Sequence, residues 1–345
     1  MGHSYKLRDI ALQAGLSEAT VDRVLNGRGG VRPGTARQVQ QAITDLQRQE
    51  SQLRLGGRTF MVDVVIQAPE RFSRAVRAAL EAELPSLRPA VLRSRFHFRE
   101  TGPIQELVDT LDWIAAHGSQ GIILKAPDVP KVNAAAQRLV RAGVPLVTFV
   151  TDLPASQRLA YVGMDNRAAG ATAAYLIGHW LGDRPGNILV TLSSDSFRGE
   201  EEREMGFRSA MRSNWPHRVL VEIPDSDGLD RIVRTPVLAA LRDDPTIRAV
   251  YSIGGGNLAT VEAFDEASRN YSVYVAHDLD QDNVGLLRDG RLSVVLHHDL
   301  NADMRRVCHV ILQAHRALPG PVRSWPSNIQ VITPFNLPTL FAPDS

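Results

Sequence analysis

Leu7–Asn26, LRDIALQAGLSEATVDRVLN, decides how this chain reads, and its residues parse one by one. Leu7, Ile10, Ala11 and Ala14 recur at i, i+3, i+4 and i+7, one apolar face of a short helix beginning near Lys6. Gly15 stops that helix. Ser17 then stands as the N-cap of a second helix whose apolar side is Val21, Val24 and Leu25, closed by Asn26-Gly27, residues that tolerate positive φ. Two helices joined by a short turn match a helix-turn-helix, whose second helix presents its early residues to base edges in the major groove. After a polar loop, Pro33 suits a first helical turn, and Val39, Ala42, Ile43 and Leu46 form the stripe of a third helix. By periodicity alone, a plain helical hairpin on a larger protein explains the same pattern equally well.

Charge favours the first reading. The whole chain of 345 residues carries a net charge of only +1, yet residues 1–58 hold nine Lys/Arg and five Asp/Glu, a net +4, leaving −3 for the remainder. Basic charge is concentrated where a nucleic acid would sit. The length fits two or three packed units, and 43% hydrophobic residues support well-buried interiors. Cys308 is the only cysteine, so no internal disulfide forms and a reducing compartment is expected. The start, MGHSYKLRDIAL, lacks the apolar core of a secretory signal, and no apolar run reaches the ~20 residues of a membrane span, so a cytoplasmic location is expected.

From Phe60 onward the period changes. Ten short β-rich runs alternate with amphipathic helical stretches: MVDVVI (61–66), VLRSRFHF (91–98), GIILKA (121–126), VPLVTFV (144–150), LAYVGM (159–164), NILVTL (187–192), RVLVEI (218–223), IRAVYSI (247–253), SVYVAH (272–277) and LSVVLHH (292–298). This is the βαβ rhythm of parallel sheets with helices on both faces. Ten strands suit two doubly wound α/β lobes better than one sheet, with ligands expected outside the carboxyl ends of the strands.

The head resembles the LacI family of bacterial regulators almost position by position from Lys6 to Leu46: the opening L-x-D-I-A, the A-G-L-S turn, A-T-V-x-R-V-L-N, and V-R-P-x-T-x-x-x-V at the third helix. The resemblance implies that Glu18, Ala19 and Arg23 read bases, while Leu7, Ser17, Thr20, Asn26, Val31 and Thr35 position the DNA backbone. Chemistry singles out Arg23, since a guanidinium pairs in bidentate fashion with guanine O6 and N7. Glu18 suits a cytosine amino group, or equally the N-terminal dipole of its own helix. Asp22 departs from the small polar residue usual in the family, weakening attraction to DNA or pairing with a neighbouring cation. Between Leu46 and Arg58 the family places a hinge helix that wedges a leucine into the minor groove; here LQRQESQLRLGGR lacks the usual Tyr-x-Pro-Asn entry. Leu53 and Leu55 are the candidates for the wedge, against a plain linker ending in Gly56-Gly57.

The larger region, roughly Met61–Leu340, resembles the type I periplasmic binding proteins, the architecture LacI-family regulators use as effector domain; VGMDNRAAG (162–170), Arg203-x-x-Gly206-Phe207 and the late VAHD and VLHHD segments carry the likeness. It implies a helix-turn-helix domain at 1–50, a hinge at 51–60, and an effector domain at 61–345. Its lobes are expected at about 61–155 plus 284–322 and at 156–283 plus 323–341, with crossings near Asp152–Leu159, Asp280–Val284 and Pro321–Ser327. By the same likeness Asp152, Asp165, Arg203, Asp278 and His298 contact a ligand; carboxylates accept hydroxyl protons and arginine donates a fixed fork, as a polyol requires. Phe72 can cover the apolar face of a sugar. Gly254–Asn257, GGGN, replaces the usual Asn-Asp; it can cradle an anion with backbone N–H groups, with Asn257 either touching ligand or capping a helix.

Enzyme chemistry finds little footing. His277, His297 and His298 gather near Asp278 and Asp299, but two of them are successive on one strand and point to opposite faces. There is no HExxH, CxxC or G-x-S-x-G, and the isolated GxG lacks the spacing of a dinucleotide site, so neither metal nor cofactor is expected. A stand-alone solute receptor would share the large domain but not the head. The expectation is a ligand-responsive transcriptional regulator, a repressor by family default. Its partners would be double-stranded operator DNA, a small effector (a sugar, polyol or sugar acid) and a second copy of itself, with no membrane involved.

Overall fold

The computed structural model describes residues 5–28, 30–55 and 58–338. Three helices open the chain, α1 (Leu7–Ala14), α2 (Glu18–Leu25) and α3 (Pro33–Leu55). Ile10, Ala11, Ala14, Val21, Val39, Ala42 and Ile43 share one small core, with Leu46 against it, while Leu7 is 38% exposed. Gly15, in the left-handed region at φ 63°, ends α1, and the Ser17 hydroxyl caps α2 by accepting from the Thr20 N–H at 3.2 Å. The third helix differs from the expected short helix and hinge: α3 runs unbroken to Leu55. Its extension, QRQESQLRL, contains good helix formers and no proline, so nothing breaks the helix where the family motif would. The side chains of Leu53 and Leu55, the pair Gly56-Gly57, and the outermost ends of the expected domains (1–4 and 339–345) lie outside the described residues.

The first sheet begins with β1 (Thr59–Gln67), β2 (Val91–Arg99), β3 (Gly121–Lys125), β4 (Leu146–Phe149) and β5 (Ala160–Met164), interleaved with α4 (Glu70–Glu83), α5 (Ile104–His117) and α6 (Pro130–Arg141). The second holds β6 (Asn187–Thr191), β7 (Leu220–Ile223), β8 (Ile247–Ser252), β9 (Val273–His277) and β10 (Val294–His297), with α7 (Asn166–Leu181), α8 (Arg198–Asn214), α9 (Asp230–Asp243), α10 (Asn257–Glu266) and α11 (Gln281–Arg288) around it. Then follow α12 (Leu300–Ala314), β11 (Trp325–Ser327) and β12 (Gln330–Ile332). The strand orders are β11-β5-β4-β3-β1-β2 and β12-β10-β9-β8-β6-β7. All pairings are parallel except β10 with β12. Each sheet has an apolar core on both faces, as βαβ crossovers require.

All ten strand runs read from sequence are strands, but the lobes divide elsewhere than expected. The chain leaves the first sheet after β5, returns after β10 through α12, whose Met304, Val307, Cys308 and Ile311 pack into the first lobe, and crosses once more between β11 and β12. Residues 156–164 and 325–327 therefore belong to lobe 1 and 284–297 to lobe 2, reversing the expected assignment of all three. The reason is non-local: β5 pairs with β4, and β10 with β9, through registers that no local pattern announces. β11 and β12, three residues each, are too short to show alternation.

Candidate functional site

In the head, Glu18, Ala19 and Arg23 are exposed on α2, and among the described residues the Arg23 side chain has no hydrogen-bond or ion-pair partner. Its guanidinium is thus available to an outside acceptor. Asp22, by contrast, is engaged within the fold, accepting from Asn26 Nδ2 at 2.7 Å and from Arg28 at 2.8 Å. This resolves the two sequence readings of Asp22 in favour of an ion pair, and it also holds the Asn26 amide. Ser17 and Thr20 share a hydroxyl hydrogen bond of 2.8 Å, and Val31 and Thr35 are half-buried at the start of α3.

The cleft lies between the lobes at the carboxyl ends of the strands. From lobe 1 come Gln67 ending β1, Lys125 ending β3, and Thr151 just past β4; from lobe 2 come Ser193 after β6, Ile253–Gly255 after β8, and His277 and Asp278 at the end of β9. Phe72 on α4 and Glu200 and Arg203 on α8 complete its walls. The cleft is open to solvent, with about 70 Å³ accessible to water.

Of the residues singled out from sequence, three line this cleft: Phe72, Arg203 and Asp278. Arg203 is 3% exposed and held by Asn166 Oδ1 at 2.8 Å and the Ile253 carbonyl at 3.3 Å, leaving guanidinium N–H groups without an oxygen partner among the described residues. Asp278 sits at φ 63°, a left-handed conformation uncommon for a residue with a side chain. Such strain concentrates at functional sites. Its Oδ1 is buried without a hydrogen bond, as are Gln67 Oε1 and His277 Nδ1 among the cleft residues.

The other four are corrected. Asp152 lies outside the lining and is consumed locally, gripped by Arg158 and accepting from the Thr148 hydroxyl at 2.7 Å and the Leu153 N–H at 2.8 Å. Asp165 is the exposed N-cap of α7, accepting from the Ala168 N–H at 3.0 Å. Asn257 is neither cap nor cleft wall: Gly256 takes the N-cap position, and the Asn257 amide is buried between Asn283 and the Tyr274 hydroxyl. His298 is fully buried behind the wall, with Nδ1 2.6 Å from Asp303 and Nε2 3.6 Å from Asp278 Oδ1. It touches the site only through Asp278. The glycine turn likewise serves clearance: a Cβ on Gly255 would stand 2.1 Å from Arg71 Nη2 of the opposite lobe, so the turn admits an arginine. The neighbouring histidines turn to separate partners, His277 to the Tyr251 hydroxyl at 2.9 Å and His297 to the Leu279 N–H at 3.2 Å. Burial pushes His277 well below its usual range and His297 down to about 4, so both are neutral near pH 7.

Gln67, Arg71, Lys125, Thr151, Ser193 and Glu200 escaped the sequence reading, and two of them are cations. Lys125 donates to the Gln67 carbonyl at 3.1 Å, and its ammonium lies 4.2 Å from the Phe197 ring centre and 5.7 Å from that of Phe72. Burial lowers its pKa to about 8, opposed by the Glu200 and Asp278 charges and assisted by Arg203. The signal was present: a lysine closing the apolar run GIIL sits at a strand's carboxyl end. Arg71 is the second, joined to Asp280 at 2.9 Å across the cleft; within PERF it reads as an ordinary helix-surface cation.

A helix-turn-helix with an exposed arginine on its second helix, joined to two lobes around a polar cleft, defines a DNA-binding regulator with a small-molecule domain. The model of the bacterial regulatory proteins, lacI family, matches residues 6–47, and that of the periplasmic binding protein domain matches residues 64–302. The chain belongs to the LacI family of regulators, with a periplasmic-binding-protein-type effector domain, a family of regulators and not of enzymes. Among solved structures it is similar to GanP, a glucose-galactose binding protein from Geobacillus stearothermophilus (19% identity, TM-score 0.71, covering 81% of this chain and 99% of that one). It is also similar to an ABC transporter solute-binding protein from Burkholderia graminis in complex with D-arabinose (18%, TM-score 0.72, 79% and 95%). A candidate LacI transcriptional regulator from Bacteroides fragilis matches at 15% identity with a TM-score of 0.71, over 81% and 97%. At these identities the likeness is one of fold. No curated protein matches the chain. Among the described residues, no helix is long and apolar enough to cross a membrane.

Proposed function

We propose that the protein is a cytoplasmic transcriptional repressor whose hold on operator DNA is released by a small polyhydroxylated effector, a sugar, polyol or sugar acid, bound between the lobes. The observation that carries this reading is the pairing of donors and acceptors in one cleft: Arg203 and Lys125 with N–H groups to spare, and Asp278 and Gln67 with buried oxygens lacking partners. Buried polar atoms without partners are rare, and a ligand carrying several hydroxyls satisfies both kinds at once. Phe72 supplies the apolar surface against which a sugar ring stacks.

On the DNA side, Arg23 reads a guanine, flanked by Glu18 and Ala19, while Leu7, Ser17, Thr20, Asn26, Val31 and Thr35 set the register against phosphates. Two such heads in a homodimer read a pseudo-palindromic site. Exposed Val91 on β2 and Val219 beside β7, terminal strands of the two sheets, support self-association. The control is a linkage: an effector that binds one lobe arrangement better than the other shifts the population of DNA-competent heads by its difference in affinity.

The test begins with an operator selected by the full-length protein from random DNA. Gel shifts with that operator are then titrated with sugars, polyols and sugar acids, alongside thermal melts. A compound that raises the melting temperature by mass action and lowers DNA occupancy supports the reading. The effector assignment fails if no member of that class does either.

A further inference from the structure

Arg71 belongs to lobe 1, on the first turn of α4, yet every strong partner of its side chain belongs to lobe 2. Its Nε lies 2.9 Å from Asp280 Oδ2, and its Nη2 donates to the Gly228 carbonyl at 2.9 Å. Both side chains of the ion pair are largely shielded, 19% and 9% exposed, so solvent screens the bridge weakly. The receiving surface is shaped for it. Gly255, at φ 106°, leaves the space that a Cβ would deny to Arg71 Nη2, and a Cβ on Gly228 would stand 2.3 Å from the Gly254 carbonyl. Two glycine turns of lobe 2 thus form a slot into which an arginine of lobe 1 slides.

The far end of the slot is tied to the cleft wall. Asp280 caps α11 by accepting from the Asn283 N–H at 2.8 Å, and the Asn283 amide donates to the carbonyls of His277 and Asp278 at 3.0 and 2.7 Å. The turn that Arg71 grips is therefore the turn that sets Asp278, with its buried unpartnered oxygen, in the cleft.

We propose that Arg71 sets the width of the effector site: it bolts lobe 1 to lobe 2 beside the bound molecule and so fixes how far apart the cleft walls stand. The bolt is built only from groups of this chain, so it favours this lobe arrangement before any effector binds. The width it sets bears on the effector only through the reading of the cleft as a sugar-type site; the bolt itself does not rest on that reading.

The experiment separates the two. Cys308 is buried, so spin labels attach to cysteines introduced at exposed Ala116 on α5 and Ala239 on α9, one in each lobe of the full-length protein. Interlobe distances are measured without ligand in this background, in Arg71→Ala and in Asp280→Asn, the latter keeping a side chain that caps α11 while removing the charge. The expected result is a longer mean distance, by more than about 2 Å, and a broader distribution in both variants. Unchanged distances in both overturn the bolt. Thermal melts with D-glucose, D-galactose and L-arabinose, and with maltose and lactose, then test whether the bolt sets which sugars enter. A disaccharide response larger in Arg71→Ala than in the wild type supports this; identical responses of the two proteins to every sugar overturn it. If no sugar stabilises either protein, the sugar reading falls, while the distances still decide the bolt.

Discussion

Two arginines, one on the helix-turn-helix head and one in the cleft, have opposite surroundings. Arg23 stands exposed on α2, placed by a helix of eight residues and its Ser17 cap, with no side-chain partner among the described residues. Arg203 is 3% exposed and is held by Asn166 at the start of α7 and by the Ile253 carbonyl beyond β8, positions 37 and 50 residues away in the chain. A phosphate-lined groove arrives with its own geometry, so a reading head needs only a presented side chain on a rigid helix. A small flexible ligand brings no frame, so the protein must build one from distant segments, with the reacting groups fixed beforehand. The difference teaches where substitutions should act independently and where they should propagate.

The largest effect is expected at the built site. Arg203→Ala removes a buried charged donor and should weaken binding of an active effector by about 2–5 kcal/mol, abolishing its effect in a gel-shift titration while leaving operator affinity in its absence unchanged. A normal effector response would dissolve the contrast, because Arg203 would then be scaffold.

Lys125 tests the same frame through stability. Its folded pKa, about 8 against an ordinary 10.5, means that the fold disfavours the charged form. The cost is present in full below pH 8 and fades as pH rises toward 10.5, where the unfolded lysine also loses its proton. Lys125→Met should therefore stabilise the protein by up to about 3 kcal/mol at pH 7, with the gain vanishing near pH 10 in urea titrations. A gain equal at both pH values would assign the effect to packing instead of charge.

At the presented site the effect is smaller and local. Arg23→Ala should cost about 1–3 kcal/mol of operator affinity and relax preference at one base position, readable by binding to a set of single-base operator variants. Unaltered affinity and selectivity would remove Arg23 from the reading surface. Ser17→Ala, which deletes the cap of α2, should cost about 1 kcal/mol of head stability and leave effector binding untouched. Calorimetric melting with and without effector checks both halves of that statement.

Legibility followed the same division. The head was readable down to its caps, because helix period, Gly15 and Ser17 act within a few residues of one another. The unbroken α3 was not read from sequence, which offered a hinge or a linker after Leu46, although that segment contains no proline to end the helix. The strands were readable as apolar runs, yet their distribution between lobes was not, since β5 and β10 are assigned by pairing partners contributed from elsewhere. Within the cleft, Arg203, Asp278 and Phe72 were found, while Asp152, Asp165, Asn257 and His298 proved to be engaged by Arg158, the Ala168 N–H, Asn283 and Asp303. A carboxylate or amide at a strand end looks the same in sequence whether its partner is a ligand, a helix end or a neighbouring side chain.

By itself, the sequence determined that this chain carries a three-helix head followed by parallel α/β units, because capping, helical period and strand burial are short-range consequences of side-chain chemistry, while its resemblance to the LacI family marked that head as DNA-binding. Only the tertiary structure decided which polar groups remain unspent in the cleft and that Arg71 spans it. Whether a buried donor or acceptor is free depends on every group within hydrogen-bond reach, and here those groups come from both lobes and from segments up to 209 residues apart, as Arg71 and Asp280 are.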